Sequence, residues 1–125
     1  MRLLLDTHVL LWWLADNPLL TPKARMVIAD SKNEVFVSAV SAWEITIKQS
    51  LKKLRTPANL EDTVRECGFG LLPIEFHHAV AAGRLPPHHQ DPFDRMLVAQ
   101  AHAESLKLMT HDKELGIYGV GLIHT

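Results

Sequence analysis

The sequence predicts an α/β fold: a mostly parallel central sheet with helices on both faces, in one domain. Three observations predict it. Short apolar runs of strand type recur at Arg2–Leu5, Glu34–Ser38, about Gly70–Ile74, Leu106–Thr110 and, as a shorter run, Gly121–Ile123. The stretches between them carry helical spacing and helix-end signals, and strands that alternate with helices pair in parallel through crossovers. The chain has 125 residues, the size of one ordinary domain, and shows no linker, repeat or low-complexity stretch.

The elements follow in order. Arg2 to Leu5 is an apolar strand that stops at Asp6. Leu10, Leu11 and Leu14, with Trp13, recur at helical spacing, and Asn17-Pro18 ends that helix. Thr21-Pro22 has the N-cap and N1 pattern and opens a helix through Ala24, Val27 and Ile28. After the run that begins at Val35, the segment from Ser41 to Leu54 is amphipathic, with Ile45, Ile47 and Leu51 set among Lys48, Lys52, Lys53 and Arg55. Leu60 to Cys67 is a further helix closed by Gly68. Phe76 to Arg84 follows the third strand, and the turn-rich Leu85-Pro86-Pro87-His88-His89-Gln90 leads into an apolar helix that begins around Asp94.

The bulk numbers exclude several classes. No apolar run approaches the roughly 20 residues of a membrane helix. The apolar Leu3-Leu4-Leu5 is interrupted by Asp6 and His8 and lacks a cleavage-site pattern, so no signal peptide is expected. A single cysteine, Cys67, excludes an internal disulfide and fits a reducing, cytoplasmic setting. A formal charge of −1 supplies no overall attraction to nucleic acid, so a polyanion must be held locally, by a basic patch or a metal.

Four acids carry the functional signal. Asp6 ends the first strand, Glu44 follows the second, Asp94 stands at a helix start and Asp112 follows the run ending at Thr110. Parallel neighbours share a carboxyl edge, which is where open α/β sheets place their sites. Each acid also has a structural reading. Asp6 caps the helix near Thr7-His8. Ser41 to Glu44 has the form of a capping box. Asp91-Pro92-Phe93-Asp94 is a helix start with Asp91 as N-cap, and Asp112 caps a short helix to Leu115. Acids at all of these junctions exceed what capping needs, since Ser, Thr or Asn would serve. Together they suit Mg²⁺ or Mn²⁺, which take hard oxygen ligands, and such a cluster can activate water against a phosphodiester.

The neighbours of these acids are candidate substrate contacts: Thr7, His8, Lys48, Arg95, Thr110 and His111. Lys48 also pairs with Glu44 at i,i+4, and a charged helix face is commonly just solvated. Trp12, Trp13 and Trp43 offer base-stacking surfaces, with core packing or a dimer contact as the other reading. His77-His78 and His88-His89 are adjacent pairs that place their rings on different helix faces, and no zinc spacing occurs. His88 and His89 stand at the rim of the acid site.

These residues resemble the PIN-domain ribonucleases, in particular the VapC-like toxins of prokaryotic toxin–antitoxin modules. Leu3-Leu4-Leu5-Asp6-Thr7-His8 is similar to the first family motif, Val37 through Glu44-Ile45 to the second, and Asp91-Pro92-Phe93-Asp94 with its apolar helix to the third. Leu108-Met109-Thr110-His111-Asp112 resembles the fourth, and Tyr118 to Ile123 the closing segment. The resemblance covers nearly the whole chain. It implies a three-layer α/β/α fold, Mg²⁺- or Mn²⁺-dependent RNA cleavage by metal-activated water, a homodimer, and a cognate antitoxin that buries the site. It assigns metal binding and catalysis to Asp6, Glu44, Asp94 and Asp112, with Asp91 left as a cap and Asp112 acting through water. Other readings are a catalytically silent PIN-like binding module, a DNA-acting nuclease, and a phosphohydrolase with Asp6 as nucleophile. Such phosphohydrolases commonly carry a second acid two residues on, where this chain has His8.

Overall fold

Parallel pairing of β1 (Arg2–Leu5) with β4 (Lys107–Thr110) places the two halves of the chain side by side. The computed structural model describes residues 1–51 and 59–125. The remaining strands are β2 (Glu34–Ser38), β3 (Gly70–Leu72) and β5 (Leu122–His124), and the sheet order is β3-β2-β1-β4-β5 with every pair parallel. Successive strands run outward from β1 in one direction and from β4 in the other. The order therefore reverses between β1 and β4, and a crevice opens beyond their carboxyl ends.

Leu3, Leu4 and Leu5 are fully buried because the sheet is covered on both sides, as parallel sheets are. Strand alternation sends Leu3 and Leu5 into one core, with Val35, Val37 and Met109, against α1 (Thr7–Leu14), α2 (Pro22–Ala29) and α4 (Leu60–Glu66). It sends Leu4 and Leu108 into the other, against Leu97, Val98 and Ala101 of α6 (Pro92–Glu104). The remaining helices are α3 (Ala39–Ser50) and α5 (Phe76–Arg84). A 3-10 segment, Lys113–Tyr118, follows β4. These are the three layers the sequence predicts. Among the described residues no helix is long and apolar enough to cross a membrane.

Helix ends follow the local chemistry in most places. Thr21 accepts the amide of Ala24 at 3.2 Å, with Pro22 just inside the helix. Gly68 closes α4 with φ +82°, a left-handed conformation that glycine adopts without a steric penalty. The capping box expected at Ser41 is absent. The cap is Ser38, whose hydroxyl accepts the amide of Val40 at 3.0 Å, so α3 starts directly from the last residue of β2. Ser41 lies within α3, fully buried, and accepts the Thr7 hydroxyl at 3.0 Å. Glu44 is consequently a mid-helix residue rather than an N3 partner. The expected extension of this helix to Leu54 falls on residues outside those described, as do Lys52, Lys53 and Arg55 of the basic stretch.

Two other expectations change. The rings of His77 and His78 lie 4.2 Å apart, and both face Glu104, at 3.6 and 2.9 Å. They meet at the first turn of α5, where the His78 ring folds back to accept the Glu75 amide at 2.9 Å. Trp43 is more than half exposed and packs edge-on against Phe93 at 5.3 Å, while Trp13 packs into the first core beside Phe69.

Gly70 faces Phe36 across the β2–β3 pair. A β-carbon added there would meet the Phe36 ring at 2.8 and 2.9 Å, and the ring, which carries the Arg2 guanidinium 5.5 Å from its centroid, would have to shift. Gly70→Ala is therefore expected to cost about 1–3 kcal/mol, the usual range for overpacking. Equilibrium urea unfolding checks it, with a lower midpoint and an unchanged slope as the expected result.

Candidate metal centre

The cleft beyond β1 and β4 has a volume of about 500 Å³ and is lined by Asp6, Thr7, His8, Trp12, Glu44, Lys48, Asp91, Asp94, His111 and Asp112. Four elements deliver the four acids to it. Asp6 follows β1 and is also the N-cap of α1, its Oδ1 accepting the amide of Val9 at 3.0 Å. Its Oδ2 accepts the hydroxyl of Thr110 from the end of β4. Capping and site roles are thus combined in one carboxylate, whose orientation is set from both sides.

Glu44 is buried on α3 and accepts Lys48 Nζ at 2.9 Å, the i,i+4 pair the spacing predicts. Asp94 sits at the third position of α6. Asp91 is the cap there, accepting the amides of Phe93 at 2.8 Å and Asp94 at 3.3 Å. Asp112 caps the 3-10 segment through the amide of Glu114 at 2.9 Å, and its own amide donates to Thr110 Oγ1 at 3.0 Å.

The electrostatics record the burial of these acids first and their crowding second. Burial is the main cause that raises the Asp94 carboxyl from 3.8 to about 7; the neighbouring charges of Asp91, Asp6 and Glu44 add to it and His89 opposes it. Asp6 is raised by burial too, against the lowering effect of its bonds from Thr110 and Val9. Both carboxyls are costly to ionise where they stand, and a divalent cation would offset that cost.

The other expected contacts divide. His8, Lys48 and His111 line the cleft, with Trp12 between the two histidines: its ring centroid is 6.2 Å from His8 and 5.4 Å from His111. Thr7 lines it as well, with its hydroxyl committed to Ser41. Thr110 is fully buried and bonded to Asp6 and Asp112, so it orients acids rather than meeting a substrate. Arg95 departs from expectation. Its guanidinium donates to the carbonyls of Ala82, Leu85, Pro86 and His89, at 2.9 to 3.2 Å, and fastens the loop that precedes α6. Five donors in a rigid fork suit that use, and they leave Arg95 engaged with backbone.

Among the described residues two groups bring three metal-binding donors within 4.8 Å of one another. His77, His78 and Glu104 form the first. There, His78 Nδ1 accepts the Glu75 amide at 2.9 Å, so in the neutral ring Nε2 carries the hydrogen towards Glu104 and no lone pair is left for a metal. His89, Asp94 and Asp112 form the second, inside the acid site. His89 Nδ1 is buried and has no hydrogen-bond partner. Hard carboxylate oxygens, raised carboxyls and an orphaned ring nitrogen together fit a divalent ion such as Mg²⁺ or Mn²⁺.

Comparison with known proteins finds relatives of the whole chain. A family model described as PIN domain matches residues 3–120. Ribonuclease VapC22 of Mycobacterium tuberculosis (strain ATCC 25618 / H37Rv) is 31% identical over 119 residues, spanning 90% of this chain and 88% of its own. Ribonuclease VapC16 of the same organism is 35% identical over 60 residues, 45% of this chain and 43% of its own. Among solved structures, VapBC2 from Rickettsia felis bound to a promoter DNA fragment superposes with a TM-score of 0.75 at 17% identity, covering 100% of this chain and 99% of the other. DNA-bound VapBC from Salmonella typhimurium gives 0.70 at 18% identity, with 99% and 98% covered. At such identities the likeness is one of fold.

The titration of Asp94 has a measurable consequence. Between its ordinary value of 3.8 and its native value of about 7, the folded protein holds a proton that the unfolded chain has released. Stability of the metal-free protein therefore falls as pH rises through that window and stays lowered above it. In EDTA the melting temperature is expected to be lower at about pH 8 than at about pH 5. Asp94→Asn should flatten this difference. Thermal scans of both proteins across the range test it, and identical profiles would remove Asp94 as the source.

Proposed function

The chain belongs to the PIN-domain family, and on that premise we propose that it is a divalent-metal-dependent endoribonuclease acting as the toxin of a toxin–antitoxin pair. The observation that carries the reading is the convergence of Asp6, Glu44, Asp94 and Asp112 on one cleft at the switch point of the sheet. The ribonuclease names of the relatives and the VapBC neighbours support it.

Asp6, Glu44 and Asp94 would hold the ion, with Asp112 at the edge of the site. When bound, Mg²⁺ or Mn²⁺ supplies Lewis-acid polarisation of a phosphoryl oxygen and a lowered pKa for water. The protein's part is orientation and charge. Thr110 and the Val9 amide fix both oxygens of Asp6, so its carboxylate is aimed before any ligand arrives. Asp94 Oδ holds a proton near neutral pH in the metal-free state and gives it up when a cation replaces it. Lys48 Nζ, a third exposed on the rim, is placed to meet a phosphate. Trp12, flanked by His8 and His111, offers a ring face to a base beside the scissile bond. The alternative with Asp6 as nucleophile is disfavoured, because His8 stands two residues on, where such enzymes commonly carry a second acid.

Cleavage of RNA is expected to require Mg²⁺ or Mn²⁺ and to stop with EDTA. Asp6→Asn and Asp94→Asn should lower the rate by orders of magnitude while the fold persists. Asp91→Ala should cost about 1 kcal/mol of stability, the usual loss for a cap, and keep cleavage. Sequencing of RNA 5′ ends after brief expression of the wild type and of Asp6→Asn gives the most direct test. Cleavage sites common to both proteins would refute the assignment.

The proposed regulator is a small antitoxin, and the toxin itself a cytoplasmic homodimer. A cleft of crowded carboxylates is best blocked by an inserted cation, and Arg suits it because its planar fork pairs two carboxylate oxygens at once. Replacing each Arg and Lys of the co-purified partner in turn should identify at least one whose loss restores nuclease activity. Full inhibition by every such variant would leave apolar contacts as the means of control.

A further inference from the structure

We propose that His89 is a nitrogen ligand of the divalent ion, beside Asp94, and that it tilts the centre towards Mn²⁺ over Mg²⁺. The inference rests on the metal-nuclease reading above and adds a donor outside the four acids.

The position of His89 is built rather than incidental. Its amide donates to the Tyr118 hydroxyl at 2.7 Å, and its carbonyl accepts Arg95 Nη1 at 3.1 Å. One clamp comes from the 3-10 segment after β4 and the other from α6. Held this way, the ring stands between two acids, with Nδ1 3.7 Å from Asp94 Oδ2 and Nε2 3.3 Å from Asp112 Oδ2. Nδ1 is buried with nothing to bond, and a buried nitrogen left unpaired is costly unless a ligand completes it.

The spacing is close to that of a shared ion. Two neighbouring donors at about 2.1–2.2 Å from an octahedral cation stand about 3.0–3.1 Å from each other. His89 Nδ1 is 3.7 Å from Asp94 Oδ2, so a small approach of the ring and the carboxylate brings both onto one ion. A carboxylate beside the second ring nitrogen is the usual means of orienting a histidine ligand. With the hydrogen on Nε2, facing Asp112, the Nδ1 lone pair is left on the Asp94 side. Asp112 then acts on the ion through the ring. Mg²⁺ is held through oxygen, whereas transition-metal ions also accept imidazole, which is the source of the preference.

Mn²⁺ alone, titrated into the full chain, is the probe. Electron spin-echo spectroscopy of the bound ion is expected to show modulation from a directly coordinated nitrogen. His89→Gln should abolish that modulation and lower the Mn²⁺-to-Mg²⁺ affinity ratio about tenfold. His8→Gln and His111→Gln, which remove the two histidines lining the cleft, should change neither. Should His89→Gln fail to fold, the His8→Gln/His111→Gln double variant answers instead: persistent nitrogen modulation supports the proposal and its loss overturns it. Bound Mn²⁺ without nitrogen modulation in the wild type, or with modulation kept in His89→Gln, overturns His89 as a ligand and leaves the metal-nuclease reading standing. A wild type that binds no Mn²⁺ overturns both.

Discussion

Thr110 at the end of β4 donates its hydroxyl to Asp6 at the end of β1, and the same oxygen accepts the amide of Asp112. Beside it the amide of Asp6 donates to the Met109 carbonyl at 3.0 Å. These bonds close the seam where the strand order reverses, and they tie the first and last acids of the site to one buried hydroxyl. Placement of Asp6, Asp112 and the start of α1 all follows from the β1–β4 pairing. A one-residue slip of that pairing would send Leu3 and Leu5 to the opposite face and leave Asp6 without Thr110.

Against this rigid seam stands an electrostatic liability. Burial in the cleft, with the neighbouring carboxylates adding to it, raises Asp94 to about 7 and raises Asp6 as well. Lys48 answers only Glu44 directly, and His89 lies 3.7 Å from Asp94 and 3.3 Å from Asp112. The apo protein therefore stores unfavourable charge that a bound cation would turn into affinity, at the expense of stability without it. Arg95, the one guanidinium of α6, could have relieved this strain and instead fastens the neighbouring loop.

A buried polar chain connects the helices that carry the acids. Ser38, the cap of α3, donates to Gln100 Oε1 at 2.5 Å; Gln100 Nε2 donates to the Pro73 carbonyl at 3.2 Å and lies 3.4 Å from His78 Nδ1. His78 then meets Glu104 at 2.9 Å. Ser38, His78 and Gln100 are nearly or fully inaccessible, so each bond matters more than it would in water. The chain fixes α3 relative to α6, and with them Glu44 relative to Asp94. It explains why polar side chains occupy the interior of an otherwise Leu- and Val-rich core.

Much of this was legible in the residues themselves. Alternation of apolar strand runs with capped helices determined the layered parallel fold, and Phe76–Arg84 and the Asp91-Pro92 start of α6 read correctly because their end signals are local. The positions of Asp6 after β1 and Asp112 after β4 were likewise visible, since the carboxyl edge of a parallel sheet is set by chain direction alone, whereas Glu44 lies in the middle of α3 and Asp94 follows a loop. The start of α3 was misread because Ser38 and Ser41 are equally good caps in isolation. Only packing, with Gln100 on one serine and Thr7 on the other, chose between them. Arg95 followed the same logic: adjacency to Asp94 suggested substrate, while four carbonyls from residues 82 to 89 claimed it. Sequence determined which groups stand at the edge, because periodicity and capping act within a few residues. Tertiary structure decided which of them face one another across the cleft, because those distances depend on strand order and on side chains separated by up to a hundred positions.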